Sequence, residues 1–185
     1  MAKRIISRNQ KVRQSNHLIE SPYAQEFSAH EIKLFEIALS LFIPSDLDLF
    51  IRETNKKFSF SNSELAKLLN TKPNVISMEI ENTAKRIMKK MLHLRKTLDD
   101  GTIEFQLINI IPFAEYKHGM FNFEINYKII PLMIDVNKNF TEYQVQYLLK
   151  MNSAYSIKLY KLLYQYKKIK GSIWVSGVFT KYDKF

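Results

Sequence analysis

The sequence predicts an α+β fold, and three observations carry that expectation. Two Ser-x-x-Glu boxes, Ser28-Ala29-His30-Glu31 and Ser61-Asn62-Ser63-Glu64, each stand before apolar residues at helical spacing, the pattern of a capped helix N-terminus. Asp99-Asp100-Gly101 and Lys117-His118-Gly119 interrupt β-prone segments, as hairpin turns do. Near the C-terminus, Asn152–Gly171 reads as a basic amphipathic helix.

The elements follow in order. Residues 1–17 contain Lys3, Arg4, Arg8, Lys11 and Arg13 and no acid, so they read as a flexible basic arm, either a grip on DNA or a solvated tail. After the first box, Ile32, Leu34, Phe35, Ala38, Leu39, Leu41 and Phe42 form a wide apolar stripe that ends before Pro44. Segment 44–55 reads as a polar connection, and Lys57–Phe60 alternates as a short strand. The second box opens the short helix Glu64–Leu69. Turn-rich Asn70–Asn74 follows, then a longer helix with Ile76, Ile80, Ala84, Ile87, Met88 and Met91 on one face. Its other side carries Asn74, Ser77, Glu81, Lys85, Lys89 and Lys90.

A short helix, a tight turn and a longer helix with a basic end form a helix-turn-helix layout. Strand candidates Leu92–Leu98, Ile103–Phe113 and Met120–Tyr127 come next, and a hairpin after a helix-turn-helix makes a winged helix. Lys117-His118-Gly119 is the better wing tip for DNA, because Asp99 and Asp100 repel phosphate. Pro131–Ile134 is a helical turn or strand extension, and Phe140–Leu149 fits either strand or helix. The amphipathic helix spans 153–168, and Ser172–Ser176 is a last strand. No acid occurs from Tyr143 through Tyr182, so the Lys residues of this helix are expected to reach solvent from an apolar base.

Composition bounds the partners. A chain of 185 residues with 46% hydrophobic side chains can bury a core, and its net charge of +10 favours nucleic acid or an anionic surface. With no Cys, disulfides and thiolate metal sites are excluded. No apolar run reaches membrane-spanning length and the N-terminus lacks a signal-peptide core, so cytoplasmic residence without membrane attachment is the expectation.

VRQSNHLIES with FSAHEIKLFEIAL, FSFSNSELAKLLN with ENTAKRIMKKML, and MNSAYSIKLYKLLYQYKKIKGSI together resemble the iteron-binding plasmid replication initiator (Rep) family, over about residues 12–176. The resemblance is to its first winged-helix domain, placed at residues 18–176. It implies binding to double-stranded iteron repeats at a plasmid origin, melting of the adjacent duplex without covalent catalysis, and recruitment of host replication initiator and helicase. It also implies a passage between dimers and monomers that serves copy control. Family members usually continue into a second winged helix; here residues 177–185, GVFTKYDKF, read as a truncated remnant of one.

Candidate DNA-binding residues are therefore Lys72, Asn74, Ser77, Lys85, Lys89 and Lys90 of the helix-turn-helix, Lys117 and His118 of the wing, and Arg4, Arg8, Lys11 and Arg13 of the arm. Asn74 and Ser77 are placed to reach base edges, and the Lys residues to reach phosphate. Phe105-Gln106-Leu107-Ile108-Asn109-Ile110-Ile111 is uncharged and β-prone. Phe105, Leu107, Ile108 and Ile110 are dimerisation candidates if it lies at a sheet edge, and core if it lies inside.

Three functions compete: an initiator domain, a dimerisation module that regulates full-length initiator, and a tyrosine-dependent DNA nickase. The last needs a metal site, yet His93-Leu94-Arg95 has Arg where a second ligand belongs, and Tyr160 and Tyr164 have no His or acid beside them in sequence. Carboxylates do not cluster, and there is no phosphate-binding glycine loop, so neither catalysis nor a nucleotide cofactor is expected. Met78, Met88 and Met91 read as core or interface filler.

Overall fold

Helix α2 (Ala29–Ser40) is the axis of the core. It lies within a computed structural model that describes residues 10–20, 27–134, 140–167, 173–175 and 178–180. The helix opens as its box predicts: the Ser28 hydroxyl accepts from the Glu31 N–H at 3.3 Å and the Glu31 carboxylate accepts from the Ser28 N–H at 2.9 Å. All residues from Glu31 to Ser40 are buried, including two carboxylates. Glu31 accepts from Arg86 Nε at 2.7 Å; Glu36 accepts from Lys161 Nζ at 2.6 Å and from the Tyr143 hydroxyl at 2.8 Å.

The winged helix is assembled around α2. Strand β2 (Lys56–Ser61) leads into α4 (Asn62–Leu69), whose second capping box forms at Ser61. Asn70, in the left-handed region at φ 53°, ends α4, and Pro73 sits in the first turn of α5 (Pro73–Met88). Strands β5 (Phe113–Lys117) and β6 (Met120–Ile125) then complete an antiparallel sheet of order β2-β6-β5. Phe58, Phe60, Phe121 and Phe123 line its inner face, with the Phe58 and Phe123 rings stacked 5.3 Å apart. Full burial of such side chains stabilises by roughly 1.5–3 kcal/mol each before chain entropy is counted.

Between α5 and β5 a separate hairpin is inserted, β3 (Met91–Thr97) with β4 (Ile103–Asn109). The single strand expected over Ile103–Phe113 is thus two strands. Ile110 and Ile111 turn into the core, and Pro112, which has no N–H to give a ladder, separates β4 from β5.

The expected arm of residues 1–17 is also corrected: from Lys11 onward it is structured. Strand β1 (Lys11–Ser15) pairs antiparallel with β7 (Phe140–Gln144), and α1 (Asn16–Glu20) follows it. Val12 and Gln14 are buried while Lys11 and Arg13 face out. Phe140–Leu149 is strand and then helix, since α7 (Val145–Leu149) continues directly from β7. A 3-10 turn at Pro44–Asp46 and α3 (Leu47–Ile51) occupy the supposed polar connection; the Asp46 carboxylate accepts from the Ile43 N–H at 3.0 Å and pairs with Lys56. Another 3-10 turn, Tyr127–Ile129, leads into α6 (Ile130–Ile134).

Helix α8 (Ala154–Tyr166) packs on β7, α1 and α2. Its Lys161 does not extend into solvent; it is 3% exposed and neutralises Glu36. Strand β8 (Ile173–Val175) pairs antiparallel with β9 (Val178–Thr180), which falls within residues 177–185. Arg4, Arg8, Lys168 and Lys170 lie outside the described residues. Among the described residues, no helix is long and apolar enough to cross a membrane.

Candidate nucleic-acid interface

Asn62, the first residue of α4, holds three elements together. Its backbone N–H donates to the Gly119 carbonyl at 3.0 Å, at the β5–β6 turn. Its side-chain Nδ2 donates to Ser77 Oγ on α5 and to the Tyr116 hydroxyl on β5, each at 2.7 Å. Hydrogen bonds with Ser77 and then Asn62 hold the Tyr116 hydroxyl below the usual phenol range. The Asn62 Oδ1 atom is buried and has no partner. The turn itself has His118 at φ 51° and Gly119 at φ 72°, the double left-handed geometry of a two-residue hairpin loop. Because Met120 pairs with both Lys117 and Ser61, the hairpin ends level with β2 instead of projecting beyond it. Lys117 and His118 are exposed at that tip, joined through Tyr116 to the start of α5.

On α5 the predicted residues separate into groups. Lys72 and Asn74 are exposed in the first turn, and no side chain caps the helix N-terminus, so its N–H groups and positive dipole end face outward. Ser77 is turned toward the wing: it donates to the Pro73 carbonyl at 3.2 Å and accepts from Asn62, so its expected role at a base edge gives way to one in packing the wing. Lys85 is paired with Glu81 at 2.6 Å. Lys89 and Lys90 fall beyond the helix; Lys89 caps its end, and Lys90 sits in the connection to β3 with its ammonium 5.8 Å from the Phe27 ring.

Acids border the later turns. Glu81 and Glu115 face a cleft between α5 and β5 that also exposes Ser77, Lys85 and Tyr116, and Glu79 is exposed nearby. An anionic backbone therefore meets least repulsion at the first turn of α5 and the wing tip. Lys11 and Arg13 are not part of that surface. They stand on the β1–β7 pair, Lys11 bonded to Glu142 at 2.6 Å and the Arg13 guanidinium 3.6 Å above the Phe140 ring.

A second exposed face is apolar. On the β3–β4 hairpin Met91, Ile103, Phe105 and Leu107 are 50%, 50%, 64% and 54% exposed. His93 and Arg95 share that face, with His93 edge-on to Phe105 at 6.1 Å. Ile108 and Ile110 are corrected as dimerisation candidates: at 5% and 1% exposure they belong to the core. Period-two alternation puts Phe105 and Leu107 opposite Ile108, and a continuous apolar run conceals which set faces out.

The tyrosines of α8 form a packed cluster. Tyr160 lies 6.1 Å from Tyr143 and 5.6 Å from Tyr164 between ring centroids. Burial, with smaller effects from Tyr164 and Tyr147, pushes its phenol up to about 12, and its hydroxyl is buried without a partner. Among the described residues no group of three or more His, Asp or Glu is placed to hold a metal ion.

A family model described as initiator replication protein, WH1, matches residues 11–164. The chain belongs to that family. As a WH1 domain it resembles the Pi initiator protein in the crystal structure of its complex with iteron DNA, at 18% identity and a TM-score of 0.67, covering 90% of this chain and 68% of that one. At that identity the likeness speaks to the fold. The WH1 domain of a replication protein isolated from a multiple sclerosis patient aligns at 10% identity and a TM-score of 0.38, over 66% of this chain and 95% of that one. No curated protein sequence matches.

Three residues of this WH1 surface escaped sequence reasoning. Asn62 and Tyr116 look like ordinary helix-start and strand residues, and only tertiary contact brings them to Ser77. Met78, expected as core or interface filler, is not core: it is 77% exposed, the most exposed large apolar side chain among the described residues. Its signal was present: it falls between the buried positions Ile76 and Ile80 and off their face.

Proposed function

We propose that this WH1 domain binds iteron repeats at a plasmid origin with the start of α5 and the β5–β6 turn, and that it acts in replication initiation as a binding protein and not as an enzyme. The observation that carries the reading is the Asn62 junction, which fixes an exposed helix N-terminus and a basic turn tip as one surface. Lys72 and Lys117 would contact phosphate, His118 would add a wing contact, and Asn74, whose side chain has no hydrogen bond in the fold, would reach a base edge. Lys85, Lys89 and Lys90 would give weaker backbone contacts, and Arg4, Arg8, Lys11 and Arg13 a sequence-independent grip. The nickase reading is disfavoured by a Tyr160 hydroxyl that is buried and held protonated.

The apolar β3–β4 face favours a second role, self-association into a homodimer through Phe105 and Leu107, with Ile103 and Met91 joining them. That face also supports the regulatory reading, in which this domain pairs with a full-length initiator. Host initiator and helicase would join at the origin in the cytoplasm.

Fluorescence anisotropy on direct-repeat origin duplex and on scrambled duplex across a salt series, with sedimentation on the same samples, tests both roles. A preference for repeats that survives moderate salt supports sequence reading by this domain. Equal and steeply salt-sensitive binding to both duplexes removes it and leaves the dimerisation role.

A further inference from the structure

The first two turns of α5 expose two side chains with nothing to do in the fold. The Asn74 side chain has no hydrogen bond, and Met78, one helical turn later, is 77% exposed. Residues four apart lie on one helix face with about 5–6 Å between Cβ atoms, so the pair forms a single strip. Most of its neighbours are otherwise committed: Ser77 to the wing, Ile76 and Ile80 to the core, Glu81 to Lys85; Glu79 is exposed on the next position around the helix. A large apolar side chain at the centre of an otherwise polar surface is out of place in water. It is unlike the β3–β4 face, where several apolar groups are contiguous, because here it is a single apolar group among polar ones, with the Asn74 amide one turn before it and Glu81 and Asn82 one turn after.

One ligand chemistry presents an amide-matching edge and an isolated methyl at that spacing: the major groove of an A·T step. Adenine N6 and N7 take the two bonds of an Asn amide, and thymine projects its C5-methyl group into the same groove. A Met thioether is flexible and polarizable enough to cover that methyl without a rigid fit. We propose that Met78 is a specificity-determining residue that packs on a thymine methyl next to the adenine read by Asn74, so that α5 selects A·T pairs at that position. This rests on the reading that α5 enters the major groove.

The test uses the full chain and the direct-repeat origin duplex, with thymines replaced one at a time by deoxyuridine, which lacks only the C5-methyl group. Anisotropy titrations are run for wild type, Met78→Ala and Asn74→Ala. Ala is a good helix former at an exposed site, so Met78→Ala keeps α5 intact. In the wild type, one deoxyuridine position should weaken binding about five-fold. In Met78→Ala the same replacement should have no effect, while its affinity for scrambled duplex stays at the wild-type value. Asn74→Ala should keep the methyl effect and lose discrimination at the neighbouring adenine. A wild type that prefers repeats over scrambled duplex but is indifferent to every deoxyuridine overturns the proposal alone, as does a penalty that persists in Met78→Ala. A wild type with no preference for repeats overturns the DNA-reading function and this proposal with it.

Discussion

The start of α5 and the outer face of the β3–β4 hairpin are both exposed, and they are built from opposite chemistry. The first is mainly polar, with Ser77, Tyr116 and the Asn62 amide tied into a local network that spans α4, α5 and β5 and only Met78 as a large exposed apolar group. The second leaves Ile103, Phe105 and Leu107 in water on a hairpin that, among the described residues, pairs with no other strand. A hydrated polar surface exchanges its water for phosphate and base edges at little cost, whereas an apolar one gains only when it is covered. That difference underlies the proposal of two partners for two faces: nucleic acid for α5 and the wing, protein for the inserted hairpin.

Four substitutions break or sharpen that comparison. The largest effect should strike both faces alike. Lys161→Met leaves Glu36 buried without its cation, and loss of one member of such a pair costs about 3–5 kcal/mol. The thermal midpoint should fall by on the order of 10 °C, and Glu36→Leu in the same chain should recover much of the loss. Calorimetry decides; an unchanged midpoint would mean that the pair does not hold α8 on the core.

Phe105→Asp should strike one face only. Self-association should weaken about 100-fold, while each protomer keeps its preference for repeat DNA. Sedimentation equilibrium would show a shift to monomer, and an unchanged dimer would place the contact elsewhere.

Asn62→Ala should strike the other face. The wing loses its tie to α5, and affinity for repeat duplex should drop about five-fold, near the 1 kcal/mol of a typical hydrogen bond. Stability should hardly change, since the variant also removes a buried acceptor without a partner. An affinity equal to wild type would show that the wing needs no anchor.

Tyr160→Phe should affect neither face. Removing the orphaned hydroxyl should leave stability equal or raise it by up to ~1 kcal/mol. The folded phenol, raised to about 12 from an ordinary value of 10.0, favours the neutral form. Its contribution to stability is therefore intact below pH 10 and is lost as pH rises toward 12. Denaturant titrations across that range should show a shallower alkaline loss in the variant.

Much of this was legible in local sequence, where local physics decides. Both capping boxes form where Ser28 and Ser61 announce them, and the Lys117-His118-Gly119 turn closes the wing because Gly119 accepts a positive φ. The buried face of α5 follows its three-and-four spacing through Ile76, Ile80 and Ile87. What escaped depended on partners distant in sequence. Lys161 looks like a solvated cation until Glu36 is beside it, and the alternation of β1 is hidden because one of its two buried residues is Gln14, matched to Tyr143 across the sheet core. At the candidate interface, the exposed start of α5 was readable. The capture of Ser77 by Asn62 was not, since a Ser on a helix surface carries no mark of its tertiary partner.

Glu31 and Glu36 are five positions apart on α2, about 140° around the helix, and they engage different neighbours: Arg86 near the end of α5, and Lys161 in the middle of α8. The helix thus resembles a shaft keyed on two sides. A rotation or slide of α2 would strain both ion pairs at once. Through these two ion pairs, α2 is the element that links α8 to the end of α5.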